Sequence, residues 1–455
     1  MNNSSESRDQ LTSKIGAILV AAGSSVGLGN IWRFPYVTGE SGGGAFLIIY
    51  LACVLLIGMP LMLSEFIVGR GTHLNAVGAI KSLNKRWTPL GYNGVLVAFL
   101  IMGFYFVVSG WTAEYFIESL TGNISKLSTP KEYEAFFNNF VTDPIKPVVY
   151  TWLFIIATHL IIVRGVSKGI ELCSKILMPL LFIILIVMSI NSLMMPNSMK
   201  GLEYLFNPDF SKITPQVVLE AIGQAFFSLS IGIGCLITYS SYFDDKNDLR
   251  KSVVQVTMID TLVALLAGVL IFPAVFSAGI EPTAGPSLVF ITLPSIFNAL
   301  PMSMLWSSIF FLLLIIAALT STMSLHEVVT LYIIEQFKVS RRKATYITTI
   351  SVCTLATFGS LSMGVMSGFT IFDLNLFDAL DKLTADILMP LGGIFTSLFV
   401  GWAIGRKFVD KQLLRPGEKS NSFTIECVIF LLKYFIPVMI FCILLDSTGI
   451  LKILG

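Results

Sequence analysis

Apolar residues fall along this chain in eleven long runs separated by shorter polar connections, at 11–35, 45–68, 95–116, 148–163, 170–190, 217–242, 253–279, 304–334, 344–358, 376–404 and 425–445. A helix needs about 20 predominantly apolar residues to cross the hydrocarbon core of a bilayer, with roughly 17 as a lower bound. Every run spans or nearly spans, so the pattern predicts an all-α, polytopic membrane protein with 11 transmembrane helices. Composition agrees: 55% of residues are hydrophobic and 13% are charged, and the mean hydropathy is +0.80. That is more apolar surface than one soluble core would bury.

An odd number of spans places the two ends of the chain on opposite sides, and lysine and arginine choose which, because they are retained in the cytoplasm near span ends. With residues 1–10 inside, the inside connections hold Arg8, Lys14, Arg70, Lys81, Lys85, Arg86, Arg164, Lys168, Lys246, Arg250, Lys251, Lys338, Arg341, Arg342, Lys343, Arg406, Lys407, Lys411, Arg415 and Lys419. The outside holds only Lys126, Lys131, Lys146, Lys200, Lys212 and Lys452. The expectation is a multi-pass protein with a cytoplasmic N-terminal tail over 1–10 and an external C-terminus. The polar tail makes the first run a retained span rather than a signal peptide.

The net charge of +2 follows from this orientation, and no basic patch suggests nucleic acid. All six cysteines lie within apolar runs, with neither a disulfide framework nor metal-ligand spacing. The three histidines, His73, His159 and His326, are scattered, and no Ser/His/Asp grouping converges, so an enzyme is not expected.

The first and sixth runs are interrupted alike. SVGLG at 25–29 and SIGIG at 230–234 share a small residue followed by glycines alternating with apolar residues, five spans apart. Ser24 lies ten residues beyond Lys14, about 15 Å into the bilayer at 1.5 Å per residue. Loosened backbone at that depth is tolerated only where it faces protein or a solvated cavity. Paired interruptions in two halves of a chain point to an inverted-repeat transporter with its site between them. Exposed carbonyls there can hold a cation, and half-helix N-termini can face a carboxylate. The competing reading, glycines that merely let helices pack closely, accounts less well for a matched pair flanked by Ser, Asn and Arg. A dinucleotide fingerprint is excluded, because GLGNIW at 27–32 lacks the third glycine and a preceding strand.

GSSVGLGNIWRFPY at 23–36, GGGAFLIIY at 42–50, PLMLSEFIVGR at 60–70, AFFSLSIGIG at 225–234 and GPSLVFI at 285–291 resemble the neurotransmitter:sodium symporter family, and the likeness runs through nearly the whole chain. Eleven spans resemble its bacterial amino-acid branch. The resemblance implies a 5+5 inverted-repeat core, with helices 1 and 6 unwound, a first five-helix repeat over 11–195, a second, inverted one over 216–406, and the eleventh helix with an external C-terminus over 423–455. It also implies the bacterial inner membrane, two sodium ions, a small-molecule amino-acid substrate and alternating access, with membrane lipid as surroundings. A monomer suffices for this activity, and the oligomeric state is left open.

Residue by residue, the resemblance implies a first sodium site at Ser25, Asn30 and Ser228 with Asp260 beside it. The second sodium site is Gly23, Val26, Ala317, Thr320 and Ser321. Hydroxyl, amide and carbonyl oxygens are hard ligands suited to sodium. Asp260 departs from the family, which mostly carries asparagine there; members that need chloride hold it nearby with a hydroxyl one turn on, where this chain has Ala264. A charged side chain near the midplane costs about 2.5 kcal/mol or more without partners. The expectation is that Asp260 replaces chloride, so that no chloride is required, and that it is a candidate to carry a proton on the return of the empty carrier; a permanently protonated, hydrogen-bonded Asp260 is the competing reading.

The substrate is expected among Ser24, Ser25, Leu28, Gly29, Ile101, Tyr105, Phe227, Ser228, Ser230, Ile233, Ser321 and Leu325. This wall is aliphatic and aromatic, without a charge for a substrate side chain. Monoamine carriers of the family place an aspartate where this chain has Gly27, so a hydrophobic L-amino acid, aliphatic or aromatic, fits better. The implied outer gate is Arg33 with Asp381 above a lid of Tyr105 and Phe227, and the inner gate is Arg8 with Glu335, where Leu11 replaces the family's usual tryptophan. Gly169 and Pro179 match the family's unwinding motif in the fifth span. Glu65 and Glu327, buried in spans, read as hydrogen-bonded carboxyls. A non-transporting amino-acid sensor or a channel on the same scaffold is the alternative function.

Overall fold

The computed structural model describes residues 10–279, 288–414 and 423–447. Among them there is no strand, only two isolated bridges, Gly43 with Pro208 and Ile371 with Leu374. Eight helices among the described residues are long and apolar enough to cross a membrane: Gly44–Thr72, Lys85–Leu120, Val166–Leu193, Leu249–Ser277, Ser303–Phe337, Arg341–Leu361, Leu376–Ala403 and Phe423–Ser447. They correspond to the second, third, fifth and seventh to eleventh predicted segments. Two bent pairs raise the number to ten. One is the first segment, Lys14–Ser25 and Gly29–Glu40, bent by 52°; the other joins Pro130–Thr142 to Lys146–Ile162, the fourth segment, at 71°. The sixth segment consists of two shorter helices, Pro215–Ser228 and Cys235–Ser240.

Local chemistry sets these boundaries. Ser13 caps the first helix by accepting from the Gly16 N–H at 3.0 Å, and the helix stops where Val26 turns extended at ψ 109°. A π-turn over Gly29–Arg33 then restarts it. In the sixth segment Ser230, Gly232 and Gly234 all adopt positive φ. At Gly232 an added Cβ would lie 2.7 Å from the Met389 carbonyl, so only glycine fits that approach. The released Gly232 N–H donates to Glu65 Oε1 at 2.8 Å, which satisfies a buried donor the break would otherwise strand.

The third and eighth segments form the central packed pair, and the fifth packs on the seventh. At the end predicted to face the cytoplasm, polar contacts tie the bundle shut. Leu11 is buried and its N–H donates to the Tyr242 carbonyl at 3.2 Å. Tyr242 OH donates to Glu327 Oε1 at 2.6 Å, and Arg341 binds both oxygens of Glu327 at 3.0 and 2.5 Å. Thr12 donates through its N–H and hydroxyl to Glu171 at 2.7 and 2.8 Å. The fifth segment is helical throughout, with a π-turn at Val166–Glu171 and Pro179 inside the α-helix after it. Gly169 and Pro179, which match the family's unwinding motif, both lie within helix at this closed end.

Candidate functional site

The two breaks lie side by side and hydrogen-bond to each other. Ser230 Oγ donates to the Ser24 carbonyl at 2.8 Å, Ser25 Oγ to the Leu229 carbonyl at 3.5 Å, and Gln224 Nε2 to the Gly29 carbonyl at 3.2 Å. Asn30 is the hub. Its Oδ1 accepts from the Gly27 N–H at 3.0 Å, which fixes the turn, while its Nδ2 donates to Ser228 Oγ at 2.9 Å and to Asp260 Oδ1 at 2.8 Å. Ser228 Oγ donates to Asp260 Oδ2 at 2.8 Å and accepts from Tyr50 OH at 3.3 Å. Asn30, Ser228 and Asp260, scattered over 230 positions of sequence, thus form one cluster, and all three are 0% exposed. Among the described residues no lysine or arginine is ion-paired with Asp260; its side-chain partners are a neutral amide and a hydroxyl.

The second expected set converges as well. Thr320 Oγ1 lies 3.3 Å from the Val26 carbonyl, 3.3 Å from that of Ile316 and 3.0 Å from that of Ala317. Ser321 Oγ lies 3.4 Å from the same Val26 oxygen. A Cβ on Gly23 would sit 3.4 Å from Thr320 Cβ. The Ile316 and Ala317 carbonyls lie within the helix Ser303–Phe337 and already accept its N–H groups, whereas the Val26 carbonyl, just past the end of the first helix, meets only the two hydroxyls among the described residues. A free carbonyl beside two hydroxyls is a group of hard oxygens that suits a small cation.

Between the clusters lies a cavity with about 40 Å³ of free space, lined by Ser24, Ser25, Gly27, Gly29, Ile101, Tyr105, Phe227, Ser230, Ile233, Ser321, Ser324 and Leu325. Two expected substrate residues lie elsewhere: Leu28 lines the vestibule above, and Ser228 belongs to the Asp260 cluster. The Leu28 N–H donates to Tyr105 OH at 3.1 Å, so the third segment braces the break directly. Ser324 was not anticipated; it lies one helical turn beyond Ser321 and so shares its face, which was the signal available.

On the side of Arg33 the cavity opens toward a vestibule of about 470 Å³, walled by Trp32, Phe104, Trp111, Phe137, Phe290 and Phe377 and carrying Arg33, Asp378, Asp381, Lys382 and Asp386. Arg33 and Asp381 share this space, but among the described residues they form no ion pair. The guanidinium instead lies 4.6 Å over the Phe227 ring. Arg8, the other expected gate arginine, lies outside the described residues; Glu335 accepts from the Asn75 N–H and Nδ2 at 2.8 and 2.6 Å. Sequence reasoning missed the Arg341 partner of Glu327 and the role of Glu65 at the sixth break, since both depend on which helix faces which.

A model described as the sodium:neurotransmitter symporter family matches residues 8–142 and 141–452. An uncharacterized sodium-dependent transporter of Bacillus subtilis is 36% identical over 97% of this chain and 98% of the relative. Another uncharacterized sodium-dependent transporter, from Haemophilus influenzae, is 36% identical over 98% of this chain and 100% of the relative. The crystal structure of MhsT in complex with L-phenylalanine superposes with a TM-score of 0.89 at 41% identity, covering 97% of this chain and 100% of that one.

Proposed function

The chain belongs to the sodium:neurotransmitter symporter family, and from that premise we propose that it carries a hydrophobic L-amino acid, aliphatic or aromatic, into the cell together with two sodium ions and without chloride. Family membership makes it a sodium-dependent, multi-pass membrane transporter and not an enzyme. The amino acid, the ion count and the chloride independence are the proposal.

The observation that supports it most is the buried Asp260 carboxyl held by Asn30 and Ser228 at 2.8 Å each. A carboxylate in this position is costly without a cation, and a sodium ion beside it removes that cost. The negative charge that other members borrow from chloride is then built into the chain. The Val26 carbonyl and the Thr320 and Ser321 hydroxyls form the second oxygen set.

The cavity supports the substrate class. Its wall offers Ile101, Tyr105, Phe227, Ile233 and Leu325 to an apolar side chain and no charge to a cationic one. Tyr105 OH and the loosened backbone at Leu28 and Gly29 offer polar groups to an α-carboxylate. MhsT holds L-phenylalanine, as its structure is described, which favours the same class here.

Purified protein in proteoliposomes provides the test. Sodium-driven uptake should be competed by hydrophobic amino acids among the twenty and should survive complete replacement of chloride by gluconate. Loss of uptake in gluconate would sink the assignment of Asp260, and competition by charged amino acids alone would sink the substrate class. An internal pH-sensitive dye tests the return step: alkalinisation inside, locked to uptake, is expected if Asp260 carries a proton outward.

A further inference from the structure

Arg33 shares its surroundings with several carboxylates, Glu40, Glu220 and Asp446 on one side and Asp378 and Asp381 on the other, and of these only Asp381 belongs to the gate described above. Asp386 lines the same vestibule as Arg33 and Asp381. Arg33 and Asp386 also both line a second cavity of about 320 Å³ next to it, between the first, sixth, tenth and eleventh segments, which Asp381 does not reach. Arg33 therefore stands at the partition between two spaces, with Asp381 on one side only and Asp386 on both. All three side chains are half-buried, where a charge is felt but can still move.

The local helix makes this possible. In a regular α-helix residues five apart point about 140° away from each other. The tenth segment instead runs as a π-helix over Leu383–Leu388, and the inserted residue rotates the next turn back toward the Asp381 face. Asp386 is anchored there, because its carbonyl accepts from Ser447 Oγ of the eleventh segment at 2.9 Å. Asp378, the third carboxylate of the vestibule, is already engaged by the Asn375 side-chain amide at 2.7 Å. Arg33 itself rests on the Phe227 ring and is ion-paired with neither Asp381 nor Asp386 in this open arrangement.

We propose that Asp386 is a positioning residue that competes with Asp381 for Arg33: its charge, felt across the space they share rather than through an ion pair, biases the arginine, resting on Phe227, away from Asp381 while the vestibule stands open, and closure brings Arg33 to Asp381. This rests on the gate proposed at Arg33 and Asp381. The two carboxylates then have opposite effects on one equilibrium. A merely structural Asp386 would lack that signature, because its loss would disturb both states alike.

The test needs no amino acid, so it is independent of the substrate assignment. In full-length protein in detergent with sodium, Met363, which lines the vestibule, is replaced by cysteine, and its rate of reaction with a charged thiol reagent is measured above that of the native cysteines. Asp386→Asn should slow this reaction about three-fold, the scale of a partly exposed ion pair. Asp381→Asn should leave it unchanged or faster, and Asp386→Glu should restore the original rate. Asp386→Ser carries the same prediction should Asp386→Asn fail to fold. An unchanged or faster rate in the Asp386 variants, or a fall of equal size in Asp381→Asn, would overturn the proposal.

Discussion

Asp260 decides the most at the level of single residues. Its two oxygens are taken by Asn30 Nδ2 and Ser228 Oγ, both of which lie on a broken segment, so its charge is coupled to the shape of both breaks. Replacing it with asparagine removes the charge a cation would meet while keeping the volume. Asp260→Asn is expected to raise the sodium concentration for half-maximal uptake about ten-fold or more, equivalent to about 1.4 kcal/mol. Added chloride should not rescue it, because Ala264 supplies no hydroxyl for the anion. Sodium-titrated uptake measures both effects, and an unchanged sodium dependence would mean that Asp260 is a protonated hydrogen-bonding group. Thr320→Ala removes a hydroxyl near three carbonyls and should likewise weaken sodium, with amino-acid binding recovered at high sodium.

At the level of elements, the two breaks carry the proposal. Their existence was legible, because SVGLG and SIGIG stand out within apolar runs. Their mutual hydrogen bonds were not, since Ser230 to Ser24 joins positions 206 apart and needs the packed bundle. Asp260 was legible as an oddity, whereas the bidentate Arg341–Glu327 pair was not, because no local spacing marks it. The fifth segment is instructive in the other direction. Gly169 and Pro179 look like a weak point, yet here the helix absorbs them with a π-turn while Glu171 holds Thr12 and Ser13. A motif can specify where a helix is able to unwind without specifying that it has done so. Two predictions belong at this scale. Gly232→Ala forces a side chain into positive φ and against the Met389 carbonyl, which should cost about 1–3 kcal/mol and lower the melting temperature of the protein in detergent together with uptake. Gly29→Ala places a Cβ 2.8 Å from the Phe227 ring and should raise KM for bulky amino acids more than for small ones.

Across the whole molecule, one end is tied and the other is open. Leu11, Tyr242, Glu327 and Arg341 form a chain of contacts at the closed end, while the vestibule on the Arg33 side keeps about 470 Å³ free. Breaking a buried ion pair costs roughly 3–5 kcal/mol, and less where one partner is 20% exposed, as Arg341 is. Arg341→Ala should therefore shift the carrier toward opening at that end, seen as faster hydrogen exchange around Leu11 and Tyr242; unchanged exchange would show that the pair is not part of the closure. Alternation between these ends matters only if sodium drives it. Each positive charge moved inward gains about 2.3 kcal/mol per 100 mV, or roughly fifty-fold accumulation per ion. The most direct measurement is uptake of radiolabelled L-phenylalanine into proteoliposomes with sodium outside only. Uphill accumulation that requires the inward sodium gradient, grows with an inside-negative potential and persists without chloride is the predicted result. Sodium-dependent binding with no accumulation, or equal uptake when potassium replaces sodium, would contradict it.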